Sequence, residues 1–242
     1  MKNNLLRSLA LCIMAGFMGF SCSNNDDNGG NKLASVPEAI ATYDNMSGGI
    51  IKGVMVGSTG VFKFSLKNGN DSVYCQTTFD GVTSKLLSTD LVNWTPGQAI
   101  NRAKFNGLLG STNVVVYLTC DANGGNIAVD FQIAGHIIVS TPIKETSTQL
   151  VKGYEGSYKT TKISDQSTVD EGIFNFVVIN NNIYGSRYSV THVNTAAIKG
   201  IITGTSLNID GKLLYIDDEK ISANSTDSEG TEKLVVTGKR TL

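Results

Sequence analysis

Gly60-Val61-Phe62-Lys63-Phe64-Ser65-Leu66 and Gly172-Ile173-Phe174-Asn175-Phe176-Val177-Val178 read as two spellings of one strand. Side chains along a strand alternate between faces, so Phe62, Phe64 and Leu66 share one face while Lys63, Ser65 and Lys67 share the other. The second stretch places Phe174, Phe176 and Val178 on the equivalent face. An Asn-rich stretch follows each, Asn68-Gly69-Asn70-Asp71 and Asn180-Asn181-Asn182, made of residues that tolerate the positive φ of a hairpin turn. Val73-Tyr74 and Ile183-Tyr184 come next. Further along, Phe105-Asn106-Gly107-Leu108-Leu109 aligns with Ile198-Lys199-Gly200-Ile201-Ile202, and Phe131 to His136 aligns with Leu234 to Lys239. Four matches in one order predict two copies of a unit, over 48–142 and 154–242, with 143–153 as the join.

One-sided burial suits antiparallel sheets wetted on their outer face. From Gly48 onward, short alternating runs are separated by Gly, Asn, Asp and Ser, which is an all-β pattern. Several strands per copy leave edges that barrel closure removes. The expected fold is two tandem antiparallel meander barrels, broadly similar to avidins and calycins, or else one sandwich built from both repeats. Ser35-Val36-Pro37-Glu38 reads as a capping box and predicts a short helix through about Tyr43, within a helix-and-linker segment over 35–47. A net charge of −1 leaves no electrostatic footprint for nucleic acid.

Met1 to Arg7 carries Lys2 and Arg7, and Leu9 to Phe20 is apolar but short of the ~20 residues of a membrane span. Gly19-Phe20-Ser21-Cys22 resembles a lipobox, with Gly19 where Leu is usual. The resemblance implies a signal peptide over 1–21 and a diacylglycerol on Cys22. The polar stretch Ser23 to Asn31 reads as part of a flexible tether over 22–34. Its Asn-rich, acidic start resembles surface-export signals of Bacteroidetes lipoproteins. The expected location is therefore the outer membrane, facing the periplasm or the cell surface, with the lipid as membrane anchor. Asp71-Ser72-Val73 resembles the O-glycosylation acceptor of exported Bacteroidetes proteins, which implies modification of Ser72.

Catalytic motifs are scarce. His136 aligns with Lys239, at a position that accepts a long polar group, and His192 has no Cys or carboxylate at ligand spacing. No phosphate loop or nucleophile elbow occurs. Asp217-Asp218-Glu219 reads as a solvated hairpin turn rather than a cation loop. No metal or cofactor is expected. Cys75 and Cys120, exposed to an oxidising exterior, are expected either to bridge or to remain as two buried thiols. The interval from Tyr74 to Phe105 is 17 residues longer than that from Tyr184 to Ile198. The excess surrounds Trp94, the chain's only Trp, with Asp90, Asn93, Gln98 and Arg102 beside it. Two readings of this loop stand: a ligand or partner site built on Trp94, or a packing role in which Trp94 plugs one barrel end or glues the two copies together.

The functional expectation is a non-catalytic cell-envelope binding module for a glycan, a peptide, a small apolar ligand or a protein partner. A structural subunit of a surface complex is the alternative, and a hydrolase with an unrecognised carboxylate site the third reading. Metabolic labelling with a clickable palmitate should mark the protein, and Cys22→Ala should abolish the label. An unlabelled wild-type protein would contradict the export reading.

Overall fold

The computed structural model describes residues 33–209 and 212–242, so the segment expected to be a signal peptide, Cys22 and the expected tether as far as residue 32 lie outside the described residues. Two eight-stranded antiparallel barrels follow one another. The first comprises β1 Gly49–Val56, β2 Gly60–Leu66, β3 Val73–Phe79, β4 Val82–Leu87, β5 Ile100–Leu109, β6 Thr112–Cys120, β7 Ala128–Ile133 and β8 Val139–Glu145. Each strand from β1 to β6 pairs with the next, and β8 returns to pair with β1. No backbone ladder joins β7 to β8, so this barrel is nearly closed, with the Ser140 hydroxyl donating to the Val129 carbonyl across the seam.

The second barrel comprises β9 Lys152–Lys162, β10 Thr168–Ile179, β11 Asn182–Ser189, β12 Asn194–Thr203, β13 Ser206–Ile209, β14 Lys212–Ile216, β15 Lys220–Thr226 and β16 Glu232–Arg240. It closes completely through the β16–β9 ladder. Asn180 and Asn181, at φ 48° and 62°, form the two-residue β10–β11 turn. This left-handed pair matches the twist of the strands it joins.

The opening hairpins of the two barrels share one register. Phe62 pairs with Gly53 on one side and Thr77 on the other, and Phe174 pairs with Gly156 and Arg187. Phe64 faces Ile51 and Cys75 where Phe176 faces Tyr154 and Gly185. All four Phe rings are buried. The glycines are required: a Cβ on Gly53 would sit 2.2 Å from the Phe62 ring, and one on Gly156 2.3 Å from that of Phe174. Beyond the third strand the sequence alignment needs correcting. Ile198 pairs with Gly185 as Leu86 pairs with Cys75, so the counterpart of Ile198 is Leu86 on β4, not Phe105 on β5. Part of the 17-residue excess is therefore strand β4. Likewise Phe131 lies on the seventh strand of its barrel and Leu234 on the eighth of the other.

β1 is buried on both faces. Ile51 and Met55 point into the first barrel. Val54, with Val61, meets Val151 and Val177 in an apolar layer between the barrels. The Asn175 side-chain amide donates to the Met55 carbonyl across this junction. Lys52 shares that outer face. Its Nζ lies 2.7 Å from Glu145 Oε2 and 2.8 Å from Glu38 Oε2, and both Lys52 and Glu145 are buried. Glu145 also accepts the N–H groups of Glu38 (2.7 Å) and Val151 (3.0 Å).

The same network explains why the expected N-terminal helix does not form. Glu38 serves Lys52 and Lys63 instead of a capping box, and its N–H goes to Glu145. Asn68 holds the segment further, donating to the Glu38 carbonyl and accepting from the Ile40 N–H. Only a 3-10 turn over Ala41–Tyr43 remains.

Removing one member of a buried ion pair strands the other charge, at a cost of about 3–5 kcal/mol, while an exposed pair is worth about 1 kcal/mol or less. Lys52→Met is therefore expected to destabilise the protein by about 3–5 kcal/mol in urea titration. Lys63→Met, which touches only the exposed end of the network, should cost about 1 kcal/mol or less. Equal effects would contradict this account of the junction.

Candidate functional site

The loop around Trp94 packs as a plug of the first barrel. Trp94 is buried with Leu91 in the core of the first barrel, and its indole N–H donates to the Gln98 carbonyl at 3.0 Å. Asp90 accepts the Lys104 N–H at 2.8 Å. Arg102 lies over the Tyr117 ring, 4.0 Å from its centroid, and pairs with Asp130 at 3.4 Å. The Gln98 side-chain oxygen caps the Thr95 N–H, and Asn93 is exposed. The flat face a ligand would need is covered.

The disulfide reading is corrected as well. Cys75 and Cys120 are free, buried thiols. Cys75 sits mid-strand on β3 between Phe64 and Leu86, whereas Cys120 ends β6 opposite Ile100, with β4 and β5 intervening. Burial pushes the Cys75 thiol well above its ordinary pKa.

Ser72 is exposed beside the β2–β3 turn, its N–H held by Asn70. His136 is exposed and meets the Phe79 ring edge-on at 4.9 Å. The Asp217 carboxylate is taken up by the Glu219 and Lys220 N–H groups, and Asp218 pairs with Lys152. Among the described residues no group of three or more His, Cys, Asp and Glu is placed to hold a metal ion.

The two barrels differ in how they are filled. Inside the first, Phe62, Phe64, Phe79, Trp94, Phe105 and Phe131 join one apolar cluster, with Phe62 5.1 Å from Phe131 and Phe64 5.1 Å from Phe105 between ring centroids. At one end of the second barrel Tyr154 stacks on Phe176 at 5.5 Å and also lines a pocket of ≈ 490 Å³ with Val178, Ile202 and Ile216. Toward the other end it holds a cavity of ≈ 500 Å³. Phe174, Ile198, Ile209, Leu214, Leu234 and Val236 line it with apolar surface. Tyr158, Asp170, Arg187, His192, Lys212 and Glu232 supply polar groups.

The polar groups form a defined cluster. Tyr158 donates its hydroxyl to Asp170 Oδ2 at 3.1 Å. Arg187 Nη1 donates to that same oxygen and to the Tyr158 hydroxyl, each at 3.1 Å. Ser189 donates to Asp170 Oδ1 at 2.5 Å and accepts the His192 backbone N–H at 2.9 Å. Burial works to raise the Asp170 carboxyl, but the Ser189 and Tyr158 hydrogen bonds and the Arg187 charge outweigh it and hold the group below its usual range. Burial also lifts the Tyr158 hydroxyl above its ordinary value. The cluster therefore presents a charged, hydrogen-bonded Arg–Asp pair at the edge of apolar walls.

None of these residues was singled out from the sequence as a ligand site. The signal lay in the repeat itself: once Tyr74 is matched with Tyr184, Thr77 falls on Arg187 and Phe79 on Ser189.

No family model matches the chain. No curated protein matches it. Among solved structures, a protein with unknown function from the DUF3598 family, from Nostoc punctiforme, is similar over 87% of this chain and 100% of that chain, at 10% identity and a TM-score of 0.24. A likeness of that degree assigns no activity, and the cavity itself carries the functional reading.

Proposed function

We propose that this chain is a non-catalytic binding protein of the bacterial cell envelope, held at the membrane by a lipid on Cys22, and that its second barrel takes up a small, largely apolar ligand. The observation that carries the reading is the ≈ 500 Å³ cavity with apolar walls and a few convergent polar groups. Small-molecule sites typically measure about 300–1,000 Å³ and have that composition, and barrel mouths are a recurrent place for them. The first barrel, packed with aromatic side chains, serves as a rigid base on which the second is mounted. The envelope location is supported by the lipobox-like Gly19-Phe20-Ser21-Cys22 and the polar stretch after it. Exposure of Ser72 suits its proposed role as a glycosylation acceptor.

A neutral apolar fluorophore, N-phenyl-1-naphthylamine, tests the reading. Its emission should rise saturably on mixing with the protein, at one site per chain. Ile198→Trp, which fills the cavity from β12, should abolish the rise while leaving the melting temperature within a few degrees. No saturable rise with the wild-type protein would overturn the proposal, and so would a rise that Ile198→Trp leaves intact in a folded variant.

A further inference from the structure

The shared register shows what separates the two barrels inside. Through the ladders, Met55, Thr77 and Phe79 of the first barrel correspond to Tyr158, Arg187 and Ser189 of the second. In the first barrel these positions pack: Met55 and Phe79 join the core, and buried Thr77 returns its hydroxyl to the Val61 carbonyl. In the second they surround Asp170. The Arg187 side chain is 40% exposed and that of Asp170 18%, so the second barrel carries a charged pair at its mouth where the first barrel places packing side chains.

The Arg187–Asp170 pair is satisfied unevenly. Asp170 is engaged on both oxygens, Oδ1 by Ser189 and Oδ2 by Tyr158 and Arg187. Arg187 has five N–H donors. Nη1 uses its two on Asp170 and Tyr158, while those on Nε and Nη2 have no partner among the described residues. The acceptor is engaged on both oxygens, while the donor is open on two of its three nitrogens. Lys212, exposed on β14 at the mouth of the cavity, also lines it and makes no ion pair among the described residues. Glu232 is the opposing carboxylate at the rim.

We infer that the ligand is an amphiphile with a carboxylate head, bound by the open donors of Arg187 with Lys212 adding charge, and with its apolar tail against Phe174, Ile198 and Leu214. This inference rests on the second barrel being a ligand site. A guanidinium matches a carboxylate through two parallel charge-assisted hydrogen bonds, which an alcohol cannot reproduce. Asp170 leaves the free site close to neutral, so the head finds donors that are pre-positioned without a large unpaired charge being buried before it arrives.

Calorimetric titration of the full chain with decanoate and with decan-1-ol, near neutral pH, separates the outcomes. Decanoate should bind at least about tenfold more tightly than the alcohol, the weight of one charge-assisted hydrogen-bonded contact. Arg187→Gln should weaken decanoate by about tenfold and leave decan-1-ol unchanged. Lys212→Gln, at an exposed position where folding is not at risk, should weaken decanoate by a smaller factor and again spare the alcohol. Equal binding of the two ligands, with decanoate indifferent to both substitutions, would overturn the carboxylate assignment and leave the cavity as a site for neutral ligands. Failure of both ligands to bind would remove the ligand site together with this inference.

Discussion

Each barrel is set by a ring lying across its first strand. Phe62 and Phe174 occupy space that a side chain on Gly53 or Gly156 would need, at 2.2 and 2.3 Å from a notional Cβ. The contact fixes the register of two neighbouring strands at once, because a one-residue slip would turn the ring outward and place a bulky side chain under it. In the first barrel the ring continues into a chain of aromatic contacts through Phe64, Phe105 and Phe131. In the second, Phe174 is backed by Phe176 on one side and faces the cavity on the other. The constraint that builds the fold therefore also builds one wall of the site.

The junction between the barrels carries that rigidity across. β1 belongs to the core of the first barrel through Ile51 and Met55, and to the interface through Val54. Lys52 and Glu145 are buried there as a hydrogen-bonded ion pair. Such a pair is weak evidence for net stability, since desolvation offsets the attraction, but it penalises any arrangement that separates its members. It ties β1, β8, the N-terminal segment through Glu38 and the start of β9 through Val151 into one geometry. β10 and β11 of the second barrel, which carry Asp170 and Arg187, adjoin this junction. A site held on strands packed in this way keeps its donors in place better than one held on loops.

The all-β class, the tandem barrels and the opening hairpins were legible because period-two alternation at Phe62, Phe64, Phe174 and Phe176 survives any detail of closure. Asn180-Asn181 announced its turn through residues that accept a left-handed backbone. β4 was not legible. Val82-Thr83-Ser84-Lys85-Leu86-Leu87 places only Leu86 fully inside, so the strand passes for a loop and Phe105 on the fifth strand is matched with Ile198 on the fourth of its barrel. The helix expected from Ser35 failed because Glu38 had distant partners in Lys52 and Glu145, which local sequence does not display. Trp94 was a fair candidate for either role, and burial under its own loop decided for the core. The actual cavity was hidden because inward charges such as Arg187 look like solvent-facing ones until a register is drawn. Comparing the copies position by position exposes them, since Thr77 and Arg187 cannot fill a barrel in the same way.

Two barrels on one hairpin frame, one packed and one hollow, is the claim on which the functional reading depends. Cavities with apolar walls take up xenon, while interiors at native packing density have no room for it. A crystal of the protein pressurised with xenon tests the difference directly. The account predicts xenon density in the second barrel among Phe174, Ile198 and Leu214, and none inside the first. Xenon among Phe62, Phe64 and Phe105, or a second barrel closed over by its own side chains, would contradict it.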